Sequence, residues 1–316
     1  MSTLVKKDGE KRGARGSVAA PGARRRIALF GCQIDRVRMP QAVARVFKLI
    51  AARSGSCPYV VTPNLDHAVM LRNHEGLRRA YDDAALVLAD GMPLVWASRL
   101  LKRRLPERVT GADLVLSLFS AAAEHGGLRV FLLGAGPGVA HRASSEIVRR
   151  WRGVEVVGTY SPPFGFEADA AQNAAILASI AAARPDALVV GLGAPKQELW
   201  VHAHRHEIRA RVALCVGATI DFLAGHKSRA PLWMRNNGLE WLHRLSTEPR
   251  RLFRRYARDA WHFPQLVWND WQANRGNGTD PAGRIERPSS DPDLSRMEPL
   301  DPHHPETLST KEHPTL

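Results

Sequence analysis

Seven short apolar runs recur through the middle of the chain: RIALFG (26–31), PYVVT (58–62), ALVLAD (85–90), LRVFLLG (128–134), VEVVGTY (154–160), DALVVGLG (186–193) and VALCVGA (212–218). They are continuous stretches of Val, Leu and Ile, the pattern of strands that helices cover on both faces of a parallel sheet. Helical patterns separate them, which makes a βαβ rhythm. The expected fold is therefore α/β over about residues 27–226: a Rossmann-like, mostly parallel sheet with helices on both faces. After Gly225 the texture changes to HKSRAPLWMRNNGLEWLHRLSTEPRRLFRRYARDAWHFPQLVW, helical and rich in Arg and Trp. This predicts a helical basic appendage over 227–270, separable from the core. Residues 1–26 and 271–316 lack apolar periodicity and are expected to be disordered tails, the first basic.

Composition narrows the function only partly. The 316 residues are 44% hydrophobic, enough for a real core. A formal net charge of +14 attracts polyanions, whether nucleic acid, an anionic membrane surface or phosphorylated substrates. Cys32, Cys57 and Cys215 lie far apart with no CxxC spacing, so neither a disulfide framework nor a zinc site is indicated, and a reducing cytosol fits. No run reaches the roughly 18 apolar residues of a spanning helix, so contact with a membrane would be from its surface.

The candidate chemistry gathers at strand ends, where open α/β sheets bind ligands. ALVLAD ends in a lone carboxylate, Asp90, followed by Arg99, Lys102, Arg103, Arg104 and Arg108, which would suit a phosphate-bearing substrate. A capping carboxylate for the helix near Pro93 is the plainer account of Asp90. In VVTPNLDHAV, Asn64 reads as a helix N-cap, while Thr62 and Asn64 also share the edge with Asp90; Asp66 and His67 read as helix-surface residues. VFLLGAGPGVAHRA places Gly134, Gly136 and Gly138 between strand and helix, either a diphosphate loop or a tight turn. Val139 replaces the last glycine of a dinucleotide fingerprint, and VEVVGTY ends without a ribose-binding acid, which weakens a nicotinamide-dependent oxidoreductase. VVGLGAPKQELW brings Lys196, Gln197 and Glu198 into the first turn of a helix, with polar side chains expected over the ligand edge. H-E-x-x-H, G-x-S-x-G and the P-loop are absent, and the only D-x-D, Asp291 to Asp293, sits in the C-terminal tail. No metal site is expected, leaving Arg and helix dipoles to stabilise a departing diphosphate.

Taken in order, T-P-N (62–64), A-D-G-M-P (89–93), R-V-T-G-A-D-L (108–114), G-L-G-A-P-K-Q-E (191–198) and R-A-P-x-W…G-L-E-W-L-H-R-L…E-P-x-R-L (229–252) resemble the WecG/TagA/CpsF glycosyltransferases, family 26. The resemblance implies an inverting, metal-independent hexosyltransferase with no cofactor. It would move a sugar from a UDP-sugar donor to a polyprenyl-diphosphate-linked saccharide, peripherally on the cytoplasmic face of the cell membrane, in cell-surface or exopolysaccharide synthesis. N-acetylmannosamine, its uronic acid and glucose all fit as the sugar. By resemblance Asp90 is the general base, and Thr62, Asn64, Arg108 and Gln197 match active-site positions. Arg244, Arg251 and Arg254 match basic positions of a C-terminal segment that reaches the active site and the membrane. Residues 227–262 hold nine Lys/Arg against three Asp/Glu, interleaved with Trp233, Trp241, Phe253, Tyr256 and Trp261, which suits an anionic bilayer surface. The competing reading is a basic α/β nucleic-acid-binding protein, against which a carboxylate at the sheet edge speaks, since it repels phosphate. Assembly into a homo-oligomer stays open.

Overall fold

The computed structural model describes residues 26–52 and 54–276. Six of the seven apolar runs pair into one sheet: β3 (Tyr59–Val61), β4 (Leu86–Val87), β5 (Leu128–Gly134), β6 (Val154–Tyr160), β7 (Ala187–Gly191) and β8 (Val212–Cys215), in the order β4-β3-β8-β7-β5-β6. All five pairings are parallel. Alternate residues of each run enter opposite cores. In β7, Leu188 and Val190 face one side, and Ala187 and Val189 the other. Both faces are therefore dry, which is why the runs are continuous rather than alternating.

One core is closed by α1 (Met39–Ala51), α5 (Gly111–Ala121), α6 (Val139–Arg150) and α9 (Thr219–Leu223). The other is closed by α2 (Leu65–Leu71), α3 (Glu75–Asp82), α4 (Met92–Leu100), α7 (Ala170–Ala183) and α8 (Lys196–His204). The chain then continues as α10 (Leu232–Asn236), α11 (Glu240–Thr247) and α12 (Pro249–Gly276).

The first apolar run departs from the expected rhythm. RIALFG supplies β1 (Arg26–Leu29), which turns at Phe30 and Gly31 into β2 (Cys32–Asp35) as an antiparallel hairpin outside the main sheet. A two-residue turn leaves no room for a crossover helix. Buried Asp35 fastens the hairpin, pairing with Arg26 (3.1 Å) and Arg45 (2.8 Å) and accepting the Val87 N–H (3.0 Å) at the edge strand β4.

The C-terminal helices are not a separable appendage. Leu252 and Leu266 are buried, and Phe263, Val267 and Trp271 pack on the core that holds the hairpin and α2. Asp66 of α2 pairs with Arg255 (3.7 Å) and Arg258, and Asp270 accepts the Phe30 N–H at 2.8 Å. The helix also runs six residues past the expected end at 270, because Trp271 still has core to cover. The tails at 1–25 and 277–316 lie outside the described residues.

Candidate active site

The β3 and β4 ends are joined beyond their last paired residues. Leu88 N–H donates to Val61 O (3.0 Å) and Asp90 N–H to Pro63 O (2.8 Å), so Asp90 emerges beside the Thr62-Pro63-Asn64 turn. After α4 the chain returns, and Val109 N–H donates to Ala89 O (2.9 Å). This return sets the first residue of α5 against Asp90, whose Oδ2 accepts the Gly111 N–H at 3.3 Å. Asp90 therefore faces the N-terminus of α5, not that of α4, which has no side-chain cap. Burial pushes its pKa from 3.8 up to about 6, reinforced by the Glu240 charge and opposed by the Gly111 hydrogen bond, Arg108 and Arg244.

Arginines from distant segments gather at the start of α5, around Asp113 and Glu240, and of these Arg108 also acts on the Asp90 charge. Arg108 donates from Nη1 to Glu240 Oε2 (3.1 Å) and from Nη2 to the Arg235 carbonyl (3.1 Å). Arg229 Nη2 lies 2.8 Å from Asp113 Oδ1, and Arg235 Nη1 lies 3.3 Å from the same oxygen. Arg229 Nε is 3.8 Å from Glu240 Oε1. Arg229 Nε and Nη1 and Arg235 Nε are buried with no hydrogen-bond partner among the described residues. Buried guanidinium N–H groups left open in this way favour an anion. Gly238 closes the arrangement: a Cβ there would collide with Met92, so only glycine lets the α10–α11 turn press onto the start of α4. Arg229, Arg235, Asp113 and Glu240 were not among the expected site residues, although Arg229, Asp113 and Glu240 stand inside the quoted motifs and Arg235 between two of them.

The expected residues divide. Asn64 has the plainer role, its Oδ1 capping α2 through Asp66 N–H (3.0 Å) and His67 N–H (3.3 Å), while its Cβ side borders Gly91. Thr62 is buried and donates to the Cys215 carbonyl (3.1 Å), tying β3 to β8. Gln197 and Glu198 point inward, 2% and 0% exposed, which corrects the expectation of side chains over the ligand edge. Gln197 accepts the Gly217 N–H at Oε1 (3.1 Å) and donates from Nε2 to Glu198 Oε1 (2.8 Å), tying the start of α8 to the turn after β8. Lys196 instead pairs with Glu167 (2.7 Å). His67, expected on a helix surface, is buried and shares Nδ1 with the Tyr81 hydroxyl (3.1 Å).

Arg244 is half-buried, 5.9 Å from the Phe222 ring centroid and close enough to Asp90 to act on its charge. Arg254 is exposed on α12, and the Arg251 side chain lies outside the described residues. Arg99, Lys102 and Arg104 are exposed at the far end of α4, and Arg103 donates to the Ala28 carbonyl. A nine-residue helix carries the chain about 13 Å from Asp90, so only Arg108 of that basic run returns to the site.

Gly134 and Gly136 lie at the end of β5, three strand spacings or about 14 Å from β3. Their carbonyls accept from Ser161 Oγ, both at 3.3 Å, and α6 opens without a side-chain cap, leaving first-turn N–H groups for an anion. Gly134 has φ +114°, and a Cβ would stand 2.5 Å from the Gly191 carbonyl oxygen. Gly134→Ala is therefore expected to cost about 1–3 kcal/mol from the dihedral alone, with the collision added, which thermal unfolding would register as a lowered Tm. An unchanged Tm would show that the loop relaxes freely.

With this geometry in place, comparison with known proteins is specific. The sequence profile of the glycosyl transferase WecG/TagA/CpsF family matches residues 27–277. Similar characterised proteins include the N-acetylglucosaminyldiphosphoundecaprenol N-acetyl-beta-D-mannosaminyltransferases of Staphylococcus aureus strains MRSA252 and COL. Each is 27% identical over 230 residues, covering 72% of this chain and 87% of the relative.

Proposed function

We propose, from the premise that this chain belongs to the WecG/TagA/CpsF glycosyltransferase family, that it moves a sugar from a UDP donor to a saccharide carried on polyprenyl diphosphate. The observation that carries this reading is the Asp90 carboxylate, held by the Gly111 N–H within reach of the Arg108 and Arg244 charges, beside a cluster in which Arg229 and Arg235 keep open buried donors. An inverting transfer needs both. The acceptor hydroxyl oxygen attacks the anomeric carbon, its proton passes to Asp90 Oδ1, and the bond from the anomeric carbon to the UDP oxygen breaks. Negative charge then grows on the departing diphosphate, which Arg108, Arg229, Arg235 and Arg244 would meet without a metal ion. Asp90 Oδ2 stays occupied by the Gly111 N–H, which fixes the carboxylate plane.

The β4 strand that leads to Asp90 stands four strand spacings, roughly 19 Å, from β5 and its Gly134 loop, a span that suits an extended nucleotide sugar better than a lone phosphate. N-acetylmannosamine is the favoured sugar and diphosphate-linked N-acetylglucosamine the favoured acceptor, by the activity of the Staphylococcus aureus relatives. The proposed location is the cytoplasmic membrane face. Among the described residues no helix is long and apolar enough to cross a membrane, while Trp233, Trp241, Phe253, Trp261 and Trp268 are exposed on the C-terminal helices. Such aromatics beside arginines suit an anionic lipid interface.

The test is UDP release from a panel of UDP-sugars with a short-chain lipid-diphosphate saccharide acceptor, in buffer containing EDTA. Release should be fastest with UDP-N-acetylmannosamine and should survive chelation. Silence with every donor would overturn the transferase assignment, and a strict need for Mg²⁺ or Mn²⁺ would overturn the metal-free mechanism.

A further inference from the structure

The basic run at the end of α4 takes no part in the site, apart from Arg108. Its surroundings give it another use. The inner face of α4 is filled by Leu94, Val95, Ala97 and Ser98, all buried. On the outer face Trp96 and Leu100, one helical turn apart, are 46% and 69% exposed. Arg99, Lys102 and Arg104 stand exposed around them, and residues 92–106 contain no Asp or Glu. Exposed indole and leucine side chains rimmed by cations fit a bilayer of anionic lipids, with Trp at headgroup level, Leu at the acyl boundary and the cations on lipid phosphates. A nucleic acid would match the cations but gain little from Leu100.

The chain at the end of α4 reaches the same hairpin as the C-terminal helix. Arg103 bonds to Ala28 of β1, while α12 reaches the same hairpin through Asp270 to the Phe30 N–H (2.8 Å) and Phe263 edge-on to the Phe30 ring (6.2 Å). The β1–β2 turn thus links the end of α4 to the helix that exposes Trp261 and Trp268. We propose that the outer face of α4, formed by Trp96 and Leu100 with Arg99, Lys102 and Arg104, is a second membrane-contacting surface that seats the enzyme on anionic lipid together with α12. This deepens the membrane part of the proposed function and rests on it.

The experiment uses the full chain and two variants, Trp96→Ser with Leu100→Ser, and Arg99→Gln with Lys102→Gln and Arg104→Gln. Each is sedimented with phosphatidylglycerol/phosphatidylcholine vesicles and with phosphatidylcholine vesicles. Each cation near an anionic surface contributes about fivefold to partition, so the triple variant should bind the anionic vesicles at least about tenfold more weakly. The double variant should lose a similar factor. Both should keep normal UDP release with a water-soluble acceptor analogue, which also shows that they fold. Unchanged binding of both variants to anionic vesicles would overturn the proposal. So would loss of nucleic-acid binding in the triple variant with vesicle binding intact. Vesicle binding that falls on substituting Trp261 and Trp268 but not in the α4 variants would remove this surface and leave the membrane reading standing. Wild-type protein indifferent to anionic vesicles would remove both.

Discussion

Asp90→Asn is expected to lower turnover by about 10²–10⁴-fold while UDP still binds, because the amide keeps the shape and the Gly111 contact but cannot take the acceptor's proton. The wild-type profile should show the same group titrating. Burial, with the Glu240 charge behind it, holds the Asp90 pKa at about 6, so turnover should climb as pH rises towards that value and level off above it. Stability should run the other way. The unfolded chain binds this proton only near pH 3.8, so protonation favours the folded state. That contribution is full below the unfolded value and is lost as pH rises through about 6. At neutral pH the Asn variant should therefore be more stable, by about 1–2 kcal/mol once partial exposure of the group is allowed for. Turnover near wild type would end the assignment of Asp90 as base. A lower Tm for Asn at pH 7 would contradict the electrostatic account.

Arg108→Ala should have the next largest effect. Losing one preorganised donor to a departing diphosphate typically costs about 10²–10³-fold. The same change acts on Asp90 twice: the Arg108 charge no longer favours its ionised form, and Glu240 loses a partner at 3.1 Å, so its negative charge is felt more strongly. Both move the acid limb of the turnover profile above pH 6, whereas Glu240→Gln should move it below. The pair of profiles separates an electrostatic role from simple damage, since misfolding would lower activity without shifting the limb in opposite directions. Coincident limbs in both variants would show that Arg108 and Glu240 do not tune the base.

The α/β architecture was legible in the chain because it follows from local rules. Continuous apolar runs require two dry faces, and the six runs that form the sheet pair in parallel. The hairpin was missed although its signal was present: Phe30-Gly31 is a two-residue turn, and Cys32–Asp35 is too short and polar to announce itself as a strand. Asp90 was also legible, since a lone acid after a buried strand lies at the ligand edge by topology alone. Which helix it would face was not. Its partner Gly111 arrives only because Val109 returns to Ala89, a backbone contact between segments twenty residues apart.

The sequence by itself determined the sheet, the strand-end position of Asp90 and Thr62, and the family motifs, since each depends on a periodicity or spacing within one stretch of chain. Only the tertiary structure decided that Gln197 turns inward to Gly217, that Arg103 serves the hairpin, and that Arg229, Arg235 and Glu240 complete the cluster around Arg108 and Asp113. Those outcomes depend on contacts between residues 20 (Gln197 and Gly217) to 132 (Arg108 and Glu240) positions apart and on which side chains lose their water. An arginine reads the same in the sequence whether it ends on the surface, as Arg254 does, or largely buried against a carboxylate, as Arg229 does against Asp113. The physical reason is that charge has no directional signature along a chain. Its partner is chosen by packing, and packing is settled by the whole fold at once.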